Sequence, residues 1–497
     1  EKLKTNFSLN YYESEALYDN KDYERFNVRS NNDYTINNWI HANVDVNLLY
    51  SKQNSPHNGA GGSIMKDLMF SSPLYNAYWA DGRYADGKDG DNPIAYHNLS
   101  GNNRGEYYRV GGKLQLDLTP IKDLTLTAVA SPRYTFDKKK DHKMAYDVYR
   151  ISGDPISGGG YSTTSLSETR DDTYSLTMQF YANYKFQIQR HSIGLMAGFE
   201  DYTYKWENEG ASRTNFTLDN FPYLDLGPED YQFNSGKAGH NSYRSIFGRI
   251  MYSWADRYML QANIRSDGSS RFAKGQKWGT FGSIGAAWAI TNENFMKDVS
   301  WLKNLKYKLS WGVLGNQDFI TNPTIAGYYP YNDLYTIGNL NDEISFSFKY
   351  KGNPDLTWER SETWNTGIEF NIADILEGEV EYYNKTTKDM LFLKQVSPSL
   401  GYAQYPVNDG KMVNKGLEFS LVAHLVKTND ISLDLRVNGG HYKNKMTQMP
   451  MDDTTGKEKP LEIQGAYGWS KGHSLYDFYI REYAGVDPET GMALYIL

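Results

Sequence analysis

The chain contains no cysteine, which excludes disulfides, thiolate metal sites and a thiol nucleophile together; a protein facing an oxidising compartment tolerates that absence easily. It also has no apolar run near the roughly 18 residues that a spanning helix needs, so helical membrane insertion is excluded. A β-barrel passes that test. Barrel strands hide half their residues from lipid, and their mean hydropathy, here -0.67, averages to something that looks soluble. Proline is scarce, at 16 of 497 residues, and neither charge sign dominates. A net charge of -8 spread along the chain offers neither a nucleic-acid stripe nor a polybasic membrane patch, so nucleic acid is not an expected partner. Glu1 opens directly into "KLKTNFSLNYYESE", so any export signal is expected to have been removed or to lie outside these residues, and localisation has to come from architecture.

What is abundant is aromatic and glycine: 42 Tyr, 21 Phe, 11 Trp and 44 Gly, a balance that favours strands over helices. Read at period two, the chain alternates repeatedly. In "WIHANVDVNLLY", Ile40, Ala42, Val44, Val46 and Leu48 oppose His41, Asn43, Asp45 and Asn47. Val110, Leu114, Leu116 and Leu118 oppose Lys113, Gln115 and Asp117, and Leu176, Met178, Phe180 and Ala182 oppose Thr177, Gln179, Tyr181 and Asn183. Ile284, Ala286, Trp288 and Ile290 face away from Ser283, Gly285 and Ala287; Leu305, Tyr307, Leu309, Trp311 and Val313 alternate with Lys306, Lys308 and Ser310. Leu417, Phe419, Leu421, Ala423 and Leu425 alternate with Glu418, Ser420 and His424. The pattern predicts about sixteen strands.

The connections sort by size. "TPIKD", "ADR", "ADILEG" and "KTND" are short, whereas Lys52 to Gly105, Asp137 to Asp171, Glu207 to Asn241 and Gln317 to Ser361 read as long and polar. Short and long take turns, so every second connection lies on one side, as in an up-and-down antiparallel meander with one elaborated end. Tyr174 and Tyr184 share an apolar face ten residues apart. At about 3.3 Å per residue and a tilt near 40°, ten residues climb roughly 25 Å, the height of a transmembrane barrel's apolar band, with a tyrosine at each boundary. The expected fold is all-β: a transmembrane up-and-down antiparallel β-barrel with long extracellular loops and short periplasmic turns, its oily faces on lipid and its small polar residues on the lumen. A soluble sandwich with its core on the apolar face is the competing reading, and no internal repeat indicates a propeller.

Several longer segments then become informative: "DRYMLQANIRSDGSSRF", "WGTFGSIGAAWAITNENFM", "LKYKLSWGVLGNQ", "GNPDLTWERSETWNTGIEF", "EYYNKTTKDML", "NDGKMVNKGLEFSL" and "EYAGVDPETGMALY". In this order they resemble the barrel of SusC/RagA-type TonB-dependent transporters of the Bacteroidetes outer membrane, from about Leu3 to the C-terminus. Each is a strand with its turn, so they diagnose the barrel rather than its cargo. The resemblance implies import of an oligosaccharide or oligopeptide with a SusD-like surface lipoprotein as lid, energised by the TonB–ExbB–ExbD complex through a plug, and it leaves open a dimer of transporter–lipoprotein pairs. It implies no enzyme activity and no cofactor. Nothing ahead of Lys4 resembles the family's N-terminal extension, TonB box or plug, and "ALYIL" is not a terminal strand ending in an aromatic. Residues 1–497 are therefore expected to be an incomplete barrel, about 16 of roughly 22 strands. A passive porin and a soluble carbohydrate-binding β-protein are the rival functions.

Motifs of other chemistries have plainer readings. "GWSKG", Gly468–Gly472, matches a nucleophile elbow but is followed by alternation rather than a helix. "HNGAGGS", His57–Ser63, lacks a P-loop lysine, and "DGKDGDN", Asp86–Asn92, misses EF-hand spacing. The nine histidines form no paired metal motif, so no metal site is expected. Better candidates for ligand contact are aromatics on the long-loop side: Tyr78, Trp79 and Tyr84 in "PLYNAYWADGRY" and Tyr329 in "GYYPYNDLY". Arg265, Arg271, Asn365 and Glu418 are expected near the rim beneath them. This mixture suits a neutral extended ligand better than a small anionic chelate, which favours concentrated positive charge.

Overall fold

The computed structural model describes residues 2–57, 64–88, 90–156, 160, 162–218, 220–318, 328–340, 343–396, 399, 401–402, 404–452 and 455–496. In chain order the elements are β1 Leu3–Glu15, β2 Asp22–Asn37, β3 Ile40–Pro56, α1 Ile64–Phe70, α2 Pro93–Leu99, β4 Gly101–Ile121, β5 Leu124–Lys143, β6 Ser165–Ile188, β7 His191–Thr214, β8 Gln232–Trp254, β9 Tyr258–Ser269, β10 Trp278–Ala289 and β11 Leu302–Asn316. They continue with β12 Leu334–Leu340, β13 Glu343–Tyr350, β14 Glu359–Ile372, β15 Leu376–Lys388, β16 Leu391–Gln395, β17 Gln404–Asn408, β18 Lys411–Lys427, β19 Ser432–Gln448, β20 Glu462–Gln464, β21 Tyr467–Trp469, β22 Tyr483–Val486 and β23 Ala493–Tyr495.

Fifteen strands share one sheet in the order β1 to β11, β14, β15, β18, β19, so each lies beside its predecessor in that series. The remaining strands pair off as β12–β13, β16–β17, β20–β21 and β22–β23. The meander is thus as expected, and the first two of these hairpins sit inside long connections that sequence alternation leaves blank. The strands also run further than their apolar stripes. β3 continues to Pro56 and β4 starts at Gly101, β5 reaches Lys143, and β6 and β7 each span 24 residues. Main-chain pairing needs no apolar side chain, so it persists where alternation has stopped, and the true connections are shorter than those read from the sequence.

Two of the short turns explain themselves. Ala255 and Asp256 have φ of 51° and 54°, Ala373 and Asp374 of 55° and 56°. Each pair is closed by a main-chain bond, Arg257 N to Trp254 O and Ile375 N to Ile372 O, both 2.9 Å. Two successive left-handed residues make the type I′ turn whose twist matches a hairpin.

The chain divides into two compact units: 1–119 with 127–179 and 202–241, and 120–126 with 180–201 and 242–497. In the first unit, the register stacks Val28, Leu48 and Val110 across β2, β3 and β4, with Val44 opposite Leu114. Val44, Leu48, Val110 and Leu114 are exposed although strongly apolar. Tyr50 and Tyr108 follow on the same face, ring centroids 4.9 Å apart.

In the second unit, Leu260, Ile264, Ile284, Leu309, Ile368 and Leu417 are exposed on one face. Its lower boundary carries stacked rings: Trp254 on Tyr258 at 5.7 Å and Tyr258 on Trp288 at 6.3 Å. An exposed apolar stripe of this extent, edged by aromatics, is what lipid contact requires and what water would not tolerate. The β10–β11 pairing runs from Ala289↔Lys306 to Ser283↔Gly312. Beyond it, Phe272, Phe281, Leu356, Trp358 and Leu391 form a buried cluster against which Val313 packs. Val313 therefore joins this core rather than the lipid-facing series of Leu309 and Trp311. A second core, Met390, Phe392, Val407, Met446 and Met449, packs β16–β17 against the end of β19.

Candidate functional site

The polar face of the second unit is organised by register. Lys308 lies opposite Gly367, Gly367 opposite Glu381, and Glu381 opposite Glu418. The glycine explains the electrostatics: with no side chain on β14 in that row, Lys308 crosses the strand to reach Glu379 and, at 3.2 Å, Glu381 on β15. A Cβ on Gly367 would stand 2.8 Å from Glu381 Cγ and 2.9 Å from the Val380 carbonyl oxygen. Lys306 pairs with Glu369 at 3.3 Å, and Asn304 donates to the same carboxylate at 2.8 Å. Ser283, Gly285, Ala287, Ser310 and Asn365, with Ile284, Ala286 and Leu309 of the opposite parity, line a hollow of about 980 Å³.

The eight candidate residues fall into different settings. Arg265 is held in a network: Nη2 donates to Glu200 and to the Ser245 hydroxyl, both at 2.8 Å, Nε donates to Asp267 at 2.6 Å, and the guanidinium covers the Phe247 ring. Arg271, in the β9–β10 connection, pairs with Asp318 and sits 5.7 Å from the Tyr328 ring centroid, beside Tyr329 in sequence. Asn365 donates to Ser310 Oγ at 3.3 Å, and Glu418 lines a hollow of about 400 Å³ with Glu379 and Glu381. Both lie well inside their strands, below the rim where the sequence places them, because β14 and β18 begin at Glu359 and Lys411.

Tyr329 is half-buried, and its carbonyl accepts from Asn332 N at 3.0 Å. Next to it, the Gly352 N–H and then the Lys351 ammonium hold the Asp333 carboxyl below the usual carboxylate range. They bond it at 2.9 and 3.0 Å and so close the base of β12–β13. A lowered carboxylate stabilises above its unfolded value, near 3.9, and loses that contribution as pH falls through the folded value. The hairpin is therefore expected to be insensitive between pH 5 and 8 and to loosen in stronger acid. Asp333→Ala should raise hydrogen exchange in β12–β13 about two- to fivefold at neutral pH, the scale of an exposed ion pair with its hydrogen bond. Unchanged exchange would remove this closure.

In the first unit, Tyr78 and Tyr84 face each other at 4.9 Å, and Asn98 donates to the Tyr84 hydroxyl at 3.2 Å. Trp79 is half-buried, and its indole N–H donates to Tyr149 O at 2.6 Å, which ties two connections together. Tyr78 stays exposed beside Tyr75. Asn92, the last residue of the acidic "DGKDGDN" stretch, serves a structural purpose: it caps α2 by accepting from Ile94 N and Ala95 N at 3.0 and 3.1 Å. Asp89 of that stretch and residues 58–63 of the glycine-rich one lie outside the described residues. Among the described residues no group of three His, Asp or Glu could hold a metal ion. After Ser470 of "GWSKG" the described chain turns without forming a helix, so the elbow geometry is not met. The cluster around Trp358 escaped sequence reading, although Leu356 and Trp358 stand as isolated apolar residues in polar "GNPDLTWERSET".

A family model described as TonB dependent receptor-like, beta-barrel matches residues 67–475. The chain belongs to that family. It is an integral outer-membrane barrel portion, which sets aside the soluble sandwich. The TonB-dependent receptor SusC of Bacteroides thetaiotaomicron is 30% identical over 61% of this chain and 30% of its own length. The TonB-dependent receptor P3 of Formosa agariphila is 27% identical over 96% of the chain and 48% of its own length. A structure of the RagAB peptide transporter covers 100% of this chain and 54% of its own, with TM-score 0.83 and 23% identity, and shows the shared fold. The chain spans about half the length, or less, of these relatives.

Proposed function

We propose that the protein imports an oligomeric nutrient, an oligosaccharide or oligopeptide, by TonB-dependent active transport together with a SusD-like lipoprotein lid. The observation that carries this reading is the family match across 67–475, joined by a polar face on which Lys306, Lys308 and Arg265 are paired with carboxylates. Lys306, Lys308 and Arg265 each meet carboxylates, so these three do not build the concentrated positive field that gathers a small anionic chelate. Exposed Tyr75 and Tyr78 in the first unit and Tyr335 in the second supply flat surfaces for a sugar face or peptide side chain, and Leu74, 88% exposed next to Tyr75 in the chain, suits burial under a lid. In this reading the TonB–ExbB–ExbD complex supplies the energy through a plug. A passive porin fits the family less well, and the exposed apolar faces argue against a soluble carbohydrate-binding protein.

Native mass spectrometry of the full-length protein purified from its own membrane tests the proposal. A co-purified lipoprotein and a bound oligomer are expected. An iron chelate with no lipoprotein overturns the cargo and partner together. Trp79→Ala and Tyr329→Ala are each expected to reduce oligomer uptake with heat-modifiable assembly intact. Equal uptake by wild type and both variants would remove these aromatics from the ligand path.

A further inference from the structure

We propose that the outward face of β4, β5 and β6, just above the apolar band, binds the phosphorylated headgroup of an outer-leaflet glycolipid of the lipid A type. Within the first unit, Arg104, Glu106, Lys138, Lys140, Glu168 and Arg170 of one strand parity, with Lys139 and Thr169 of the other, line a hollow of about 310 Å³. The first six occupy the same parity along their strands as exposed apolar or aromatic residues: Val110 and Leu114 on β4, Tyr134 on β5, Tyr174 and Met178 on β6. The cluster therefore projects toward lipid rather than toward the lumen.

Its height is set by the aromatic row. Tyr108 on β4 contacts Phe136 on β5, ring centroids 6.1 Å apart, and Tyr134 donates to Asp172 on β6 at 2.8 Å. Going outward, Glu106 and Arg104 follow Tyr108, Lys138 and Lys140 follow Phe136, and Arg170 and Glu168 follow Asp172. All three strands thus pass from apolar to aromatic to charged on the side that leads into long connections, where the headgroups of the outer leaflet lie. Four cations meet two carboxylates. Arg104 pairs with Glu106 at 2.6 Å and Lys140 with Glu168 at 3.0 Å. Lys138 lies over the Phe136 ring at 5.3 Å, and among the described residues neither it nor Arg170 has a carboxylate partner within ion-pair distance. Two uncompensated cations, one anchored on an aromatic at the boundary, match a phosphomonoester on a sugar headgroup. The inference rests on membrane orientation and not on the cargo.

The test uses the full-length protein in detergent, titrated with bisphosphorylated lipid A, with the same lipid dephosphorylated, and with inorganic phosphate, bound species being counted by native mass spectrometry. Wild type should prefer the phosphorylated lipid by about tenfold, and Lys138→Ala/Arg170→Ala should abolish most of that preference, the scale of two surface cations. Lys138→Arg/Arg170→Lys should keep it, and millimolar inorganic phosphate should not displace the lipid. Equal binding of the two lipids by wild type overturns the proposal without recourse to any variant. So does an unchanged preference in the alanine pair, and displacement by inorganic phosphate assigns the hollow to a free anion instead.

Discussion

Leu309→Arg is expected to prevent assembly of the full-length protein, whereas Ser310→Arg, one residue along the same strand, should assemble normally. Leu309 lies on the exposed apolar face of β11, opposite Ala286 on β10 and Thr366 on β14. A guanidinium there meets hydrocarbon, at a cost of about 2 to 4 kcal/mol near the bilayer midplane, or roughly 30- to several hundredfold in the folded population. Ser310 points the other way, its hydroxyl accepting from Asn365 on the polar face, where water solvates an added charge. Heat-modifiable migration in detergent, read on both variants together, decides the matter. Equal behaviour would mean that the faces of β11 have been assigned wrongly.

Trp358→Ala is the second large effect, and its reach should differ. Trp358 is 6% exposed, packs on Phe272 at 5.3 Å and edge-on to Phe281 at 5.5 Å, and donates its indole N–H to Lys277 O at 2.9 Å. Truncation removes about 3 to 5 kcal/mol of packing from a cluster whose members come from β10, the start of β16, the connection after β9 and the segment just before β14. The lipid-facing stripes share no residue with this cluster, so heat-modifiable assembly should survive. Limited proteolysis should instead open new cleavage within 270–277 and 353–358. Trp358→Phe keeps most of the ring and forfeits one hydrogen bond, about 1 kcal/mol, so its digestion pattern should stay close to wild type. If the alanine variant also digests like wild type, the cluster does not hold these connections.

The two substitutions divide along the line between what is legible in a sequence and what is not. Lipid writes itself into a strand as strict period-two alternation, so Leu309 and Ser310 are assigned to opposite faces by counting, and the alternation of short and long connections orders the strands before any coordinates exist. Where strands leave the bilayer, that pressure ends while main-chain pairing continues. In sequence, the outer stretches of β3 to β8 accordingly look like loops, and Asn365 and Glu418 lie deeper in their strands than the rim that alternation assigns them. The Trp358 cluster is assembled from segments far apart in the chain, none of which has a period of its own. The reach of Lys308 across Gly367 to Glu379 and Glu381 depends on inter-strand register, which the alternation of one strand cannot contain. The sequence alone therefore determined strand order, sidedness and family, because each follows from a repeated local pattern. Only the tertiary structure decided which charges are neutralised, which glycine lets them meet and which aromatics close the loops, because those depend on the alignment of distant strands.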